Sequence, residues 1–266
     1  MSKKMLIVAI SVMALLLLAG GAVWAITDGQ PDGNGHPYVG LMRFLDTSDG
    51  LRYRCSGTLI SPTLFVTAGH CTYGSVEVGI WFDSDLSTGE PASRYPLTPT
   101  VTGTAFTHPL YATGPWFTHD LGVVVLNTPV VMSTYGALPT LDQLDYLARK
   151  RGQWDRTFTA VGYGLQQSFP SAASWKTVNQ KIRMVAHPRL IQINQGNVGD
   201  FSLLLSNNAA TGGTCFGDSG GPDFIGDSNV LAGVTSFGKN GNCAGTGGVY
   251  RVDKADDLQW LGTFLN

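Results

Sequence analysis

The chain is 266 residues long, with 43% apolar residues, 14% charged residues and a formal net charge of −2. That composition excludes a disordered chain, and without a basic run in its body nucleic-acid binding has no electrostatic support. Low charge combined with 34 glycines favours a turn-rich all-β protein of one large or two small units over a helical one.

In chain order, Lys3 and Lys4 precede an uncharged stretch from Met5 to Ile26. Val23-Trp24-Ala25 places small residues at the −3 and −1 positions of a leader-peptidase site, so residues 1–25 read as a secretory signal peptide. The rival reading is an uncleaved anchor, since about 20 apolar residues can span a bilayer. Cleavage leaves 26–266 as an exported protein, secreted or periplasmic, without stable membrane association. Strand-like runs follow at 38–42, 57–60, 64–68, 76–82, 121–126, 158–163, 230–237 and 248–252. The turn signal Ser61-Pro62 separates the second from the third. The unbroken apolar run Leu121–Leu126 reads as a strand buried on both sides. Short strands at this spacing point to a sandwich or barrel.

Helical signals are few. One covers 141–149. The other is the tail, 253–266, where Leu258, Leu261 and Leu265 share a face and Asp253, Asp256 and Asp257 sit near the positive end of the dipole. The segment 127–156 is the expected boundary between two β-halves, about 26–137 and 138–252.

Four cysteines, Cys55, Cys71, Cys215 and Cys243, fall in the exported part. An even count in an oxidising compartment implies two disulfides. Three connectivities are open; 55–71 with 215–243 needs the shortest loops. No CxxC pair is present, which leaves a zinc or redox cluster weakly supported.

The chemistry centres on Gly217-Asp218-Ser219-Gly220-Gly221-Pro222. Small residues around Ser219 suit a strained nucleophile turn, a pattern that α/β-hydrolases share. Those enzymes need a histidine after the serine, and the last histidine here is His187. A subtilisin-like order needs a helix-rich doubly wound sheet. The remaining order is His, Asp, Ser. Among the five histidines, His36 and His108 precede prolines and read as turn residues. His119 caps a strand and His187 lies in a polar stretch. His70, in Thr67-Ala68-Gly69-His70-Cys71, ends an apolar run beside a cysteine, which would hold its ring rigidly. Asp120 opens the apolar run, where an unpaired acid is costly; orienting an imidazole would satisfy it.

Together, Cys55-Ser56-Gly57-Thr58-Leu59-Ile60, Thr67-Ala68-Gly69-His70-Cys71, His119-Asp120-Leu121, Cys215-Phe216-Gly217-Asp218-Ser219-Gly220-Gly221-Pro222 and Thr235-Ser236-Phe237-Gly238 followed by Gly248-Val249-Tyr250 resemble the trypsin/chymotrypsin family of serine endopeptidases. The resemblance implies two six-stranded antiparallel barrels with the site between them, and disulfides Cys55–Cys71 and Cys215–Cys243. It implies Ser219 as nucleophile, His70 as general base and Asp120 as its orienting acid. The Gly217 and Ser219 amides would form the oxyanion hole. Ser236 would support Asp120, and the strand Ser236–Gly238 would pair with substrate. Asp218 would pair with a freed amine at Ile26.

Aligned on Cys215, the resemblance implies Gly213 at the base of the specificity pocket with Thr214 beside it, and Gly238 and Gly248 on its walls. With no acid at the base, the pocket suits an apolar or aromatic residue before the scissile bond. Phe237 stands where the family uses Trp. The lack of the extra disulfides common in animal members suits a bacterial one. The expected partner is a protein or peptide substrate, and the protein is expected to be a monomer with no cofactor or metal. The alternatives are a non-catalytic binding protein on the same scaffold and an esterase with the same triad.

Overall fold

A computed structural model describes residues 26–87, 98–111, 113, 118–149, 156–194 and 201–265. The expected leader, 1–25, lies outside them. Among the described residues no helix is long and apolar enough to cross a membrane.

The first strand, β1 (Gln30–Pro31), belongs to the second sheet. The next six close into an antiparallel barrel: β2 (Val39–Asp46), β3 (Arg52–Ser61), β4 (Leu64–Thr67), β5 (Ser75–Trp81), β6 (Val101–Thr107) and β7 (Gly122–Leu126), in the order β2-β3-β4-β7-β6-β5. The run that reads as doubly buried is β7, paired with β4 on one side and β6 on the other. The Ser61-Pro62 turn joins β3 to β4, with the Leu64 amide donating to Ser61 Oγ at 3.1 Å. Apolar alternation in β5 is loose because its register against β2 shifts between Arg43 and Leu45.

The second sheet uses β8 (Phe158–Gly162), β9 (Met184–Ala186), β10 (Leu190–Ile193), β11 (Ser202–Asn207), β12 (Pro222–Ile225), β13 (Leu231–Gly238) and β14 (Gly245–Arg251). Its order is β1-β9-β8-β12-β13-β14-β11-β10. This half is thus an eight-stranded curled sheet rather than a second plain six-stranded ring. Two causes are visible. β1 adds a strand outside β9. Pro188, lacking an amide hydrogen for the ladder, bends one segment into the two arms β9 and β10. An antiparallel bridge between Thr157 and Arg189 then brings the β10 arm to the foot of β8, so the sheet curls back on itself.

Two helices matter for the site: α1 (Gly69–Thr72) and α2 (Ala255–Gly262). The expected tail helix is shorter at its start because Asp253 is otherwise engaged. Its oxygens take Arg251 Nε at 2.9 Å, Arg251 Nη2 at 2.8 Å and the Leu144 amide at 2.8 Å. The buried face of α2 carries Asp257 and Leu261, while Leu265 is 45% exposed. Asp257 is buried because it accepts from the Tyr250 hydroxyl at 2.8 Å. The signal at 141–149 becomes a 3-10 turn over Asp145–Arg149.

The two halves exchange their ends. Residues 26–31, expected in the first half, join the second: β1 pairs with β9, and Thr27 bridges to Gly213. In return Trp260 of α2 and Phe264 just after it pack on the core of the first barrel, with the Phe264 ring 5.5 Å from that of Phe106 on β6. Residues 127–156 lie between β7 and β8.

Candidate active site

His70 reaches the cleft because β4 runs directly into α1. The helix is pressed onto the head of β7: a Cβ on Gly69 would lie 3.0 Å from the Leu121 nitrogen, and one on Gly122 would meet Thr72 and, at 2.8 Å, the Ala68 carbonyl. The Cys55–Cys71 disulfide fastens the same helix to β3. The second disulfide is Cys215–Cys243, so the pairing implied by the resemblance is the one formed.

This packing fixes the imidazole against Asp120. His70 Nδ1 lies 2.9 Å from Asp120 Oδ2 and 3.1 Å from Oδ1, and the His70 amide donates to Oδ1 at 2.8 Å. The Ser236 hydroxyl donates to Oδ2 at 2.5 Å. Asp120 is 2% exposed. Burial pushes its carboxyl up, but the His70 charge and these hydrogen bonds hold it below the ordinary carboxylate value. Burial conversely pulls His70 down, and Asp120 more than offsets that, leaving the imidazole above its usual value.

Ser219 sits on a turn that only glycines can build. Gly217 and Gly220 have φ of 97° and 75°, where a side chain is strained. The turn is held by the Gly221 amide on the Asp218 carbonyl at 2.7 Å, the Gly220 amide on the Thr235 carbonyl at 2.7 Å and the Ser56 amide on the Ser219 carbonyl at 2.8 Å. Ser56 Oγ donates to the Gly217 carbonyl at 2.9 Å, aiming that peptide. Among the described residues neither the Gly217 nor the Ser219 amide meets a protein acceptor. His70, Gly217 and Ser219 line one cleft of about 660 Å³.

Asp218 turns away from this cleft. Its carboxylate is buried and accepts from the Gly164 amide at 2.7 Å and the Cys215 amide at 2.9 Å. Burial nevertheless pushes it up to about 6, so its charge is under-compensated. Ile26 is 0% exposed and packs against Ala160, Met184 and Ala186. In the full chain the Ile26 nitrogen is an amide, not an amine.

A separate slot of about 110 Å³ opens beside Ser219, lined by Thr214, Ser236, Phe237, Gly238, Asn240 and Thr246 among others. Gly213 and Gly248, expected at its base and wall, are not on its lining. Gly213 backs onto Asn207, and Gly248 lies under the Phe237 ring. Asn240 and Thr246 are the additions that the sequence did not suggest. The slot lining carries no charged side chain.

The other histidines have local work. His36 stacks on Phe224 at 5.6 Å and pairs with Asp32 at 2.5 Å. His187 Nδ1 lies 3.3 Å from Thr159 Oγ1. His108 and His119 stack at 4.9 Å with planes only 7° apart beside Asp257. Lone pairs in two near-parallel planes do not converge on one ion, so this trio is a poor metal cage. The Cys55, His70 and Cys71 group is no better, because its sulfurs are spent in the disulfide.

A barrel facing a curled sheet, with a paired histidine and a glycine-set serine at their junction, defines the chymotrypsin-like class of folds. The trypsin family profile matches residues 27–258, and the chain belongs to the trypsin family. It is 27% identical over 249 residues to phenoloxidase-activating factor 1 of Holotrichia diomphalia, spanning 85% of this chain but only 65% of that relative. It is 28% identical over 196 residues to brachyurin of Leptuca pugilator, covering 72% of this chain and 78% of brachyurin. A solved structure of HL collagenase superposes with a TM-score of 0.68 at 21% identity, covering 89% of this chain and 97% of that one. The resemblance is therefore one of fold and family, and both agree with the sequence reading.

Proposed function

We propose that residues 26–266 form an exported serine endopeptidase that cleaves peptide bonds through an acyl-enzyme. Ser219 Oγ attacks the carbonyl, His70 takes its proton and returns it to the leaving amine, and Asp120 orients and stabilises the imidazolium. The Gly217 and Ser219 amides receive the oxyanion. The observation that carries this reading is the buried Asp120, which accepts from Ser236 and from both nitrogens of His70 that face it. The uncharged slot supports an apolar or aromatic residue before the scissile bond, laid along Ser236–Gly238. Homologues with this fold and the two disulfides support an extracellular or periplasmic location.

Asp218 supports an activation step. A buried carboxyl raised to about 6 is one that a cation would stabilise. Cutting before Ile26 frees an amine for it. Gly162 and Gly164, beside the Asp218 carboxylate, continue the strand on which Ile26 packs through Ala160.

Labelling with a fluorophosphonate probe tests both parts at once. The expected result is a single adduct on Ser219, abolished in Ser219→Ala, on protein whose sequence starts at Ile26. No adduct on the wild type would refute the enzyme. A fully reactive protein starting elsewhere would refute the activation step alone. Turnover of peptides as well as esters separates an endopeptidase from an esterase.

A further inference from the structure

Two depressions meet at Ser219. The small uncharged slot lies on one side, and on the other the larger cleft runs from Ser219 and Gly217 along β2 and β3 as far as Arg43 and Asp46. A peptide whose carbonyl is at Ser219, with the preceding side chain in the slot, must lead its leaving-group half into the larger cleft. That cleft is basic. Arg43, Arg52, Arg54 and Lys181 line it, against Asp46 as the one acid among the described lining residues. The cluster runs against the sign of the molecule, whose net charge is −2.

The cations differ in what holds them. Arg52 is paired with Glu77 on the rim, which offsets its charge. Arg54 stands beside the oxyanion turn: a Cβ on Gly217 would lie 2.6 Å from its Nε. Burial holds Lys181 below the ordinary lysine value, and the like charge of Arg54 pushes the same way. Two cations are thus held side by side next to the site. Exposed aromatic rings, Phe216 at 53% and Tyr53 at 44%, wall the same cleft and would shield an ion pair formed between them. Arginine's planar fork suits a carboxylate.

Building on the peptidase reading, we propose that this leaving-group cleft selects substrates with aspartate or glutamate immediately after the scissile bond, with Arg54 as the main determinant and Arg43 and Lys181 as its support.

The test uses internally quenched peptides with one shared acyl half and Glu, Gln or Lys at the first, second or third residue after the scissile bond. The expected kcat/KM for Glu exceeds that for Lys by about fivefold or more at the first of these positions, the scale of a partly desolvated ion pair; a preference confined to the second or third position overturns the assignment. The ratio shrinks towards unity at about 0.5 M salt. Arg54→Glu inverts it; Arg43→Glu weakens it and serves if the first variant fails to fold. Ser219→Ala, which binds without cutting, gives dissociation constants for the same peptides. Equal kcat/KM for Glu and Lys peptides overturns the proposal, as do equal dissociation constants on Ser219→Ala. Failure of the peptidase reading looks different: no peptide is cleaved, while the binding comparison still decides the acidic preference.

Discussion

At the level of single residues, Asp120 keeps a charge in a buried place because its oxygens are engaged by His70 and Ser236. Ser236→Ala leaves one oxygen short of a donor, and an unsatisfied buried acceptor costs about 1–3 kcal/mol. The expected outcome is a roughly tenfold or greater fall in kcat with little change in KM, partly restored by Ser236→Thr. An unchanged kcat would remove Ser236 from the positioning set. The imidazole sets the pH response. Its raised value means that the charged His70–Asp120 pair stabilises the fold fully below about pH 6.5 and loses that contribution as pH rises through the raised value. Activity needs the neutral ring, so the acid limb of kcat/KM should lie above about 6.5.

The residues of the proposed triad could be picked out of the sequence because that chemistry demands rare residue types between glycines, in one chain order. Arg54 was not legible: Arg52-Tyr53-Arg54 reads as an ordinary exposed strand, and only the fold brings it to Gly217. Of the expected pocket glycines, Gly238 lines the slot while Gly213 and Gly248 do not. Spacing from Cys215 gives the order of residues but not that Gly213 backs onto Asn207 and Gly248 is covered by the Phe237 ring.

At the level of elements, β12 starts inside the nucleophile motif and carries Asp223 into the core. Asp223 is 0% exposed and receives only the Thr235 hydroxyl, at 3.0 Å, with its Oδ1 unpartnered among the described residues. Burial pushes it up to about 8, and the neighbouring Asp218 adds to that. In the unfolded chain an aspartate titrates near 4. Its contribution to stability is therefore present below about pH 4 and is lost progressively as pH rises through about 8. Asp223→Asn should flatten that decline, so that the variant gains on the wild type between pH 4 and 8 in urea melts. A difference independent of pH would show that Asp223 is not the titrating group.

The apolar strands β2, β4, β7, β8 and β13 were legible from hydrophobic runs. β6 was not, because Thr102, Thr104 and Phe106 on one face are exposed and the other face carries Val101, Gly103, Ala105 and Thr107, too small and mixed to read as an apolar run. β12 was hidden by the motif before it, and β9 and β10 by the proline between them.

At the level of the whole molecule, Arg183 spans the two halves. It leaves the segment before β9 and, fully buried, donates to Asp32 at 2.8 Å, the Phe82 carbonyl at 2.9 Å, the Val39 carbonyl at 3.2 Å and the Gly33 carbonyl at 2.8 Å. Burial raises Asp32, yet His36 and Arg183 hold it below its ordinary value. Arg183→Met would leave that buried carboxylate with His36 as its remaining partner, a loss of about 3–5 kcal/mol. The urea midpoint should drop, and the transition should broaden as the halves uncouple. A midpoint within error of wild type would show that the junction is held by other contacts.

The strap at the other end has a consequence in time. Thr27 bonds to Asn207 and to Gly213, 180 and 186 positions downstream. Synthesis at about 5–20 residues per second delivers those partners on the order of 10–40 s later. Throughout that interval Ile26 has no pocket to enter, and the bond before it lies open. Once the partners arrive, Ile26 is sealed at 0% exposure. For the proposed activation step, the order of synthesis therefore gives a cut before Ile26 a window on the nascent chain, before the Ile26 side chain is buried.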